Sequence, residues 1–140
     1  MHIHPLSERL SVTAQIDIAD IASLGARGFR SIINNRPDGE ADDQPTSAAL
    51  AAAARQHGLP YRYIPVVSGQ LQQAQVDAFS AALAELPTPV LAFCRTGARS
   101  SSLWALQAAG SADQILETGR VAGYDLAGLR PRLTQAGDRA

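Results

Sequence analysis

A cysteine, a glycine and two arginines fall within six residues in Cys94-Arg95-Thr96-Gly97-Ala98-Arg99. An apolar run, Val90-Leu91-Ala92-Phe93, leads into the cysteine, and Ser100-Ser101 follow the second arginine. The order predicts a buried strand, a short loop and the start of a helix. Backbone N–H groups at a helix start have no internal partner, and the helix dipole places partial positive charge there. Successive amides in a tight loop form a concave anion nest. Thr96 and Ala98 would supply such amides, and Gly97 the backbone freedom the nest needs. Arg99 can close over a bound oxyanion with two parallel hydrogen bonds. Arg95 would draw in an anionic substrate. Thiols ionise more readily at helix N-termini and beside arginine, so Cys94 is expected to act as a nucleophile. Ser100 is expected to donate to that thiolate or to a departing group.

A second polar run, Asn34-Asn35-Arg36-Pro37-Asp38-Gly39-Glu40, ends a strand that should lie parallel to the Cys94 strand. Its loop would then emerge on the same carboxyl edge of the sheet, where open α/β folds bind ligands. Arg36 is a candidate for binding the substrate anion, and Asp38 for a displaced general acid. Glu40, Asp42 and Asp43 read most simply as a solvated loop. His2 and His4 have no third metal ligand in view, so no metal is expected and the first residues read as a frayed terminus. His57, before Gly58, suits a helix end. Tyr61, Tyr63, Phe79 and Trp104 read as core or edge packing.

The elements that must hold these loops alternate along the chain. Leu10–Thr13 reads as a first strand, Ile16–Leu24 as a helix and Phe29–Asn34 as a buried strand. Thr46 or Ser47 caps a helix that runs to His57. Tyr61–Val66 is a strand and Gln72–Leu86 a helix with Val76, Phe79, Leu83 and Leu86 on one stripe. Val90–Phe93 is the central strand. A helix runs from about Arg99 to Ala109, another starts at Ser111, and a last one spans Tyr124 to Leu133. This alternation predicts a single α/β domain with a mostly parallel sheet of four or five strands flanked by helices.

The 140 residues suit one domain, and the formal net charge of −1 gives no general attraction to nucleic acid or an anionic membrane. All 12 positive side chains are arginine, so any anion site here must use guanidinium groups. A single cysteine excludes an internal disulfide and fits a reducing compartment. With no apolar stretch of signal or membrane-spanning length, a cytoplasmic location is expected.

The Cys94–Ser100 loop resembles two groups of active-site loops. Protein tyrosine and dual-specificity phosphatases place five residues between Cys and Arg; single-domain rhodaneses use the shorter type, which the four residues between Cys94 and Arg99 match. Over nearly the whole chain the sequence resembles the phosphatase-like domain of beta-lactamase-hydrolase-like proteins (DUF442). The resemblance is carried by Leu10–Gln15, Gly28–Glu40, Tyr63–Val66 and Phe93–Trp104, and implies a cysteine-phosphatase-like fold. Some members are fused to a persulfide dioxygenase, which implies sulfide metabolism and such a partner.

Two departures from the phosphatase pattern shape the functional expectation. Phe93 stands where tyrosine phosphatases have His. The stretch Val66-Val67-Ser68-Gly69-Gln70 has no acid where dual-specificity phosphatases carry one to protonate the leaving oxygen. Sulfite leaves thiosulfate without such a proton, and a short loop suits a persulfide sulfur. The leading expectation is therefore a cofactor-free, rhodanese-like sulfurtransferase moving sulfane sulfur from thiosulfate or a persulfide through Cys94. The alternative is a phosphatase forming phosphocysteine on a phosphate ester. A third reading is a non-catalytic anion-binding or redox-sensing module.

Overall fold

The computed structural model describes residues 1–133. Five strands form one sheet: β1 (Ile3–Pro5), β2 (Leu10–Thr13), β3 (Ser31–Asn34), β4 (Tyr61–Tyr63) and β5 (Val90–Phe93), in the order β1-β2-β5-β3-β4. All neighbours are parallel except β1, which runs antiparallel to β2 on the edge. Ile3–Pro5 is thus an edge strand and not a frayed terminus. His4 pairs with Val12 and lies edge-on to the Tyr124 ring at 5.6 Å.

β5 is the centre of the sheet. Each of its residues is buried, and their alternation divides them between two cores. Val90 and Ala92 join Leu10, Val12 and Ile33 on the face covered by α3 (Gln73–Glu85) and α4 (Ala98–Gln107), with Phe79, Leu103 and Trp104. Leu91 and Phe93 join Ile32 on the face covered by α1 (Ile18–Leu24) and α2 (Ser47–Gln56), with Ile21 and Leu50. α5 (Ala112–Val121) follows, capped by Ser111, whose hydroxyl accepts from the Gln114 amide. The last expected helix begins later than Tyr124: a 3₁₀ turn at Ala127–Leu129 leads into helical residues 130–133. β3 and β4 are shorter than expected, starting at Ser31 and ending at Tyr63, although the Ile64 and Val66 amides still donate to the Asn34 and Asn35 carbonyls at 2.8 and 3.0 Å. No helix among the described residues is long and apolar enough to cross a membrane.

The register sets the site. Phe93 aligns with Thr13 on one side and Asn34 on the other. The residues after these three strand ends therefore meet on one carboxyl edge, and the Asn35 amide extends the ladder to the Phe93 carbonyl at 2.8 Å.

Candidate active site

Cys94 follows directly from β5 and is fully buried. Its Sγ accepts a hydrogen bond from the Gly97 amide at 3.1 Å, so the loop curls back over the sulfur. Gly97 has φ +95° and forms the cap of α4; an added Cβ there would also run into the Tyr124 hydroxyl. That hydroxyl donates to the Thr96 carbonyl at 3.1 Å and braces the loop from outside. Burial, and secondarily the nearby Cys94 charge, push the Tyr124 phenol above its usual range, so it remains a donor. The Ala98 amide turns to Thr96 Oγ1 at 3.3 Å. The backbone N–H groups of Arg95, Thr96, Arg99 and Ser100 have no protein acceptor among the described residues. They are the free donors of a loop followed by a helix start.

Arg99 is held by a residue that reads as loop charge in the sequence. Its Nη1 donates to Glu40 Oε2 at 2.7 Å and to the Val66 carbonyl at 2.8 Å, and its Nη2 donates to Glu40 Oε1 at 2.8 Å. A guanidinium has five N–H donors. Three are occupied by Glu40 and Val66, and among the described residues Nε–H and the second Nη2 N–H lie side by side on the remaining edge, the pair that grips an oxyanion bidentately. Glu40 further raises the already high basicity of Arg99, with a smaller contribution from Cys94. In return the Arg99 hydrogen bonds, against the cost of partial burial and with help from Arg36, hold the Glu40 carboxyl down at about 2.

The other expected site residues take definite places. Arg36 is buried behind Glu40, donating from Nε to Glu40 Oε1 at 3.0 Å and from Nη1 to Gln15 Oε1 at 3.1 Å. It supports the Glu40–Arg99 clamp more directly than it faces the loop. Arg95 is exposed and carries no ion pair among the described residues. Asp38 is turned away from the site: its Oδ1 accepts from the Ser47 amide at the start of α2, and its own amide donates to Tyr63 Oη. Ser100 makes no bond to the thiol, contrary to expectation. It is buried and donates to Asn35 Oδ1 at 2.8 Å, while Asn35 Nδ2 donates to the Ile64 carbonyl at 2.9 Å. Asn35 thereby ties the ends of β3, β4 and β5 to α4. Glu40 and Asn35 are the two residues that local reading misses. Their only signal is membership of a polar run at the carboxyl end of a strand parallel to β5. No cluster of three potential metal ligands occurs among the described residues.

Residues 2–111 match the model of the beta-lactamase hydrolase-like protein, phosphatase-like domain. The chain belongs to this family. It is 37% identical over 130 residues to a beta-lactamase hydrolase-like protein of Xylella fastidiosa, covering 90% of this chain and 30% of the relative, so it spans about a third of that protein's length. A candidate phosphatase from Neisseria meningitidis is 34% identical with a TM-score of 0.86, over 97% of this chain and 99% of that one. The catalytic core of the PP-IP phosphatase SIW14 from S. cerevisiae shares the fold at 17% identity and a TM-score of 0.62, over 88% of this chain and 75% of that one. The fold is cysteine-phosphatase-like.

The family match and the Neisseria relative overturn the sulfurtransferase expectation and favour the phosphatase alternative. The number of residues between Cys94 and Arg99 is a poor measure of the cradle. Free amides continue past Arg99 to Ser100, so the first turn of α4 enlarges the nest. The missing acid bears on which leaving group can depart, not on which element is transferred.

Proposed function

We propose that this chain is a cysteine-dependent phosphatase acting on a small phosphorylated substrate. Cys94 Sγ attacks phosphorus opposite the leaving oxygen, and water then hydrolyses the phosphocysteine to release phosphate and the thiolate. The loop amides and the free edge of Arg99 bind the non-bridging oxygens, on which charge is held as the phosphoryl group passes to sulfur. Ala98 contributes through the turn it begins, and Arg95 and Arg36 act at the rim and behind the clamp. The observation that carries this reading is the set of unpartnered amides and the open guanidinium edge around a cysteine already bonded to a loop amide.

The test is release of 4-nitrophenol from 4-nitrophenyl phosphate. Wild type is expected to turn over and to be inhibited competitively by vanadate, and Cys94→Ser to lose activity by on the order of 10⁴-fold or more. Activity that survives Cys94→Ser contradicts the proposal, and so does saturable phosphate binding without turnover.

A further inference from the structure

The segment that meets Arg99 from β4 contains no acid. Val66 reaches the site through its carbonyl, and the run Ile64-Pro65-Val66-Val67-Ser68-Gly69-Gln70-Leu71 has no Asp or Glu. The carboxylate bonded to Arg99, Glu40, is committed to two guanidinium groups and has no proton to give near neutral pH. Asp38 is spent on the start of α2. Beside the loop lies a cavity of about 360 Å³, with Gln15, Arg36, Gln44 and Arg95 in its walls and no aromatic side chain. Its remaining acids, Asp17 and Asp43, share those walls with the guanidinium of Arg95.

Resting on the phosphatase reading, we infer that the substrate is a phosphoryl compound whose leaving group departs as a stable anion, an acyl phosphate or phosphoanhydride, with the Arg95 guanidinium receiving that anion in place of a proton from an acid. In the step, the S–P bond forms as the bond from phosphorus to the bridging oxygen breaks. The electron pair leaves on a carboxylate or phosphate oxygen, and no proton is transferred. Water then attacks phosphorus, the P–S pair returns to Cys94, and the water proton passes to solvent. An enzyme with a general acid levels good and poor leaving groups; one without it keeps the difference.

The experiment compares kcat/KM for acetyl phosphate, 4-nitrophenyl phosphate, phenyl phosphate and phosphoserine, in wild type, Arg95→Gln, Asp17→Asn and Asp43→Asn. Because kcat/KM reports steps through phosphocysteine formation, it isolates departure of the leaving group. The expected result is that acetyl and 4-nitrophenyl phosphate exceed phenyl phosphate and phosphoserine by about 10²–10⁴-fold, the usual contribution of a general acid. Arg95→Gln should lose more on acetyl phosphate than on 4-nitrophenyl phosphate. Turnover of all four substrates within about tenfold overturns the inference and leaves the phosphatase reading standing. The inference also fails if Asp17→Asn or Asp43→Asn selectively removes activity on the poor leaving groups, since that exposes an acid. Release from none of the four, with no vanadate binding, defeats the phosphatase reading itself and this inference with it.

Discussion

Two loops share one carboxyl edge of the sheet and work in opposite ways. The loop after β5 acts through its backbone: Gly97 donates to Cys94, and the amides of Arg95, Thr96, Arg99 and Ser100 are free among the described residues. The loop after β3 acts through side chains that cross to other elements: Asn35 reaches Ile64 and receives Ser100, and Glu40 clamps Arg99 from 59 positions away. The first loop presents free amides beside Cys94; the second holds the long side chain of Arg99 in place. Backbone donors need only a local conformation, whereas a long arginine has to be ordered against its rotamer entropy. That contrast explains why a buried Arg36 stands behind Glu40: the clamp is itself held.

Substitutions that separate the two loops should differ in kind. Arg99→Lys keeps the charge and loses the fork, so kcat/KM on 4-nitrophenyl phosphate should fall by about 10²–10³-fold, with a lowered melting temperature because the bidentate bond to Glu40 is lost. Glu40→Gln leaves Arg99 in place but unclamped, and should cost up to about 10²-fold in kcat/KM, the scale of a misplacement of about 1 Å. If Glu40→Gln costs as much as Arg99→Lys, the second loop does more than position. Gly97→Ala strikes the first loop: a left-handed residue with a Cβ costs about 1–2 kcal/mol, before the encounter with Tyr124 is counted. It should lower the melting temperature and phosphate affinity together, and an unchanged melting temperature would show that the loop relaxes. Ser100→Ala leaves Asn35 Oδ1 unpaired and should cost about 1–3 kcal/mol in denaturant unfolding.

The last effect concerns pH. Glu40 is held at about 2 against an ordinary value of 4.5, so the clamp stabilises the folded chain fully above about 4.5 and is lost as pH falls towards 2. Thermal unfolding of wild type and Glu40→Gln should differ at neutral pH and converge across that acid window. A difference that stays constant with pH would place the effect elsewhere.

The same contrast decides how much is legible in the amino-acid sequence. The strand Val90–Phe93, the loop and the helix start are contiguous, so their composition and order predict them. The α/β alternation likewise follows from local periodicity, and Thr46 and Ser111 cap helices where the sequence leads one to expect them. Glu40 reads as loop charge because its partner Arg99 lies across the sheet edge, and nothing local distinguishes a clamp from a solvated carboxylate. Ser100 reads as a donor to the thiol because the two are neighbours in sequence, yet the helix turns its hydroxyl to Asn35. β1 escapes because three residues including a proline on an edge carry no hydrophobic pattern. Counting loop residues points to sulfur over phosphorus because it misses the donors that the following helix adds.

All of these effects presuppose that the phosphoryl group passes through Cys94. Reaction mixtures with 4-nitrophenyl phosphate, quenched in acid, digested and analysed by mass spectrometry, show whether it does. A phosphorylated peptide with the modification on Cys94, absent in Cys94→Ser, is the expected outcome. Phosphate released while Cys94 stays unmodified at every quench time, or a phosphoryl group found on Ser100 or Ser101 instead, would be incompatible with this route.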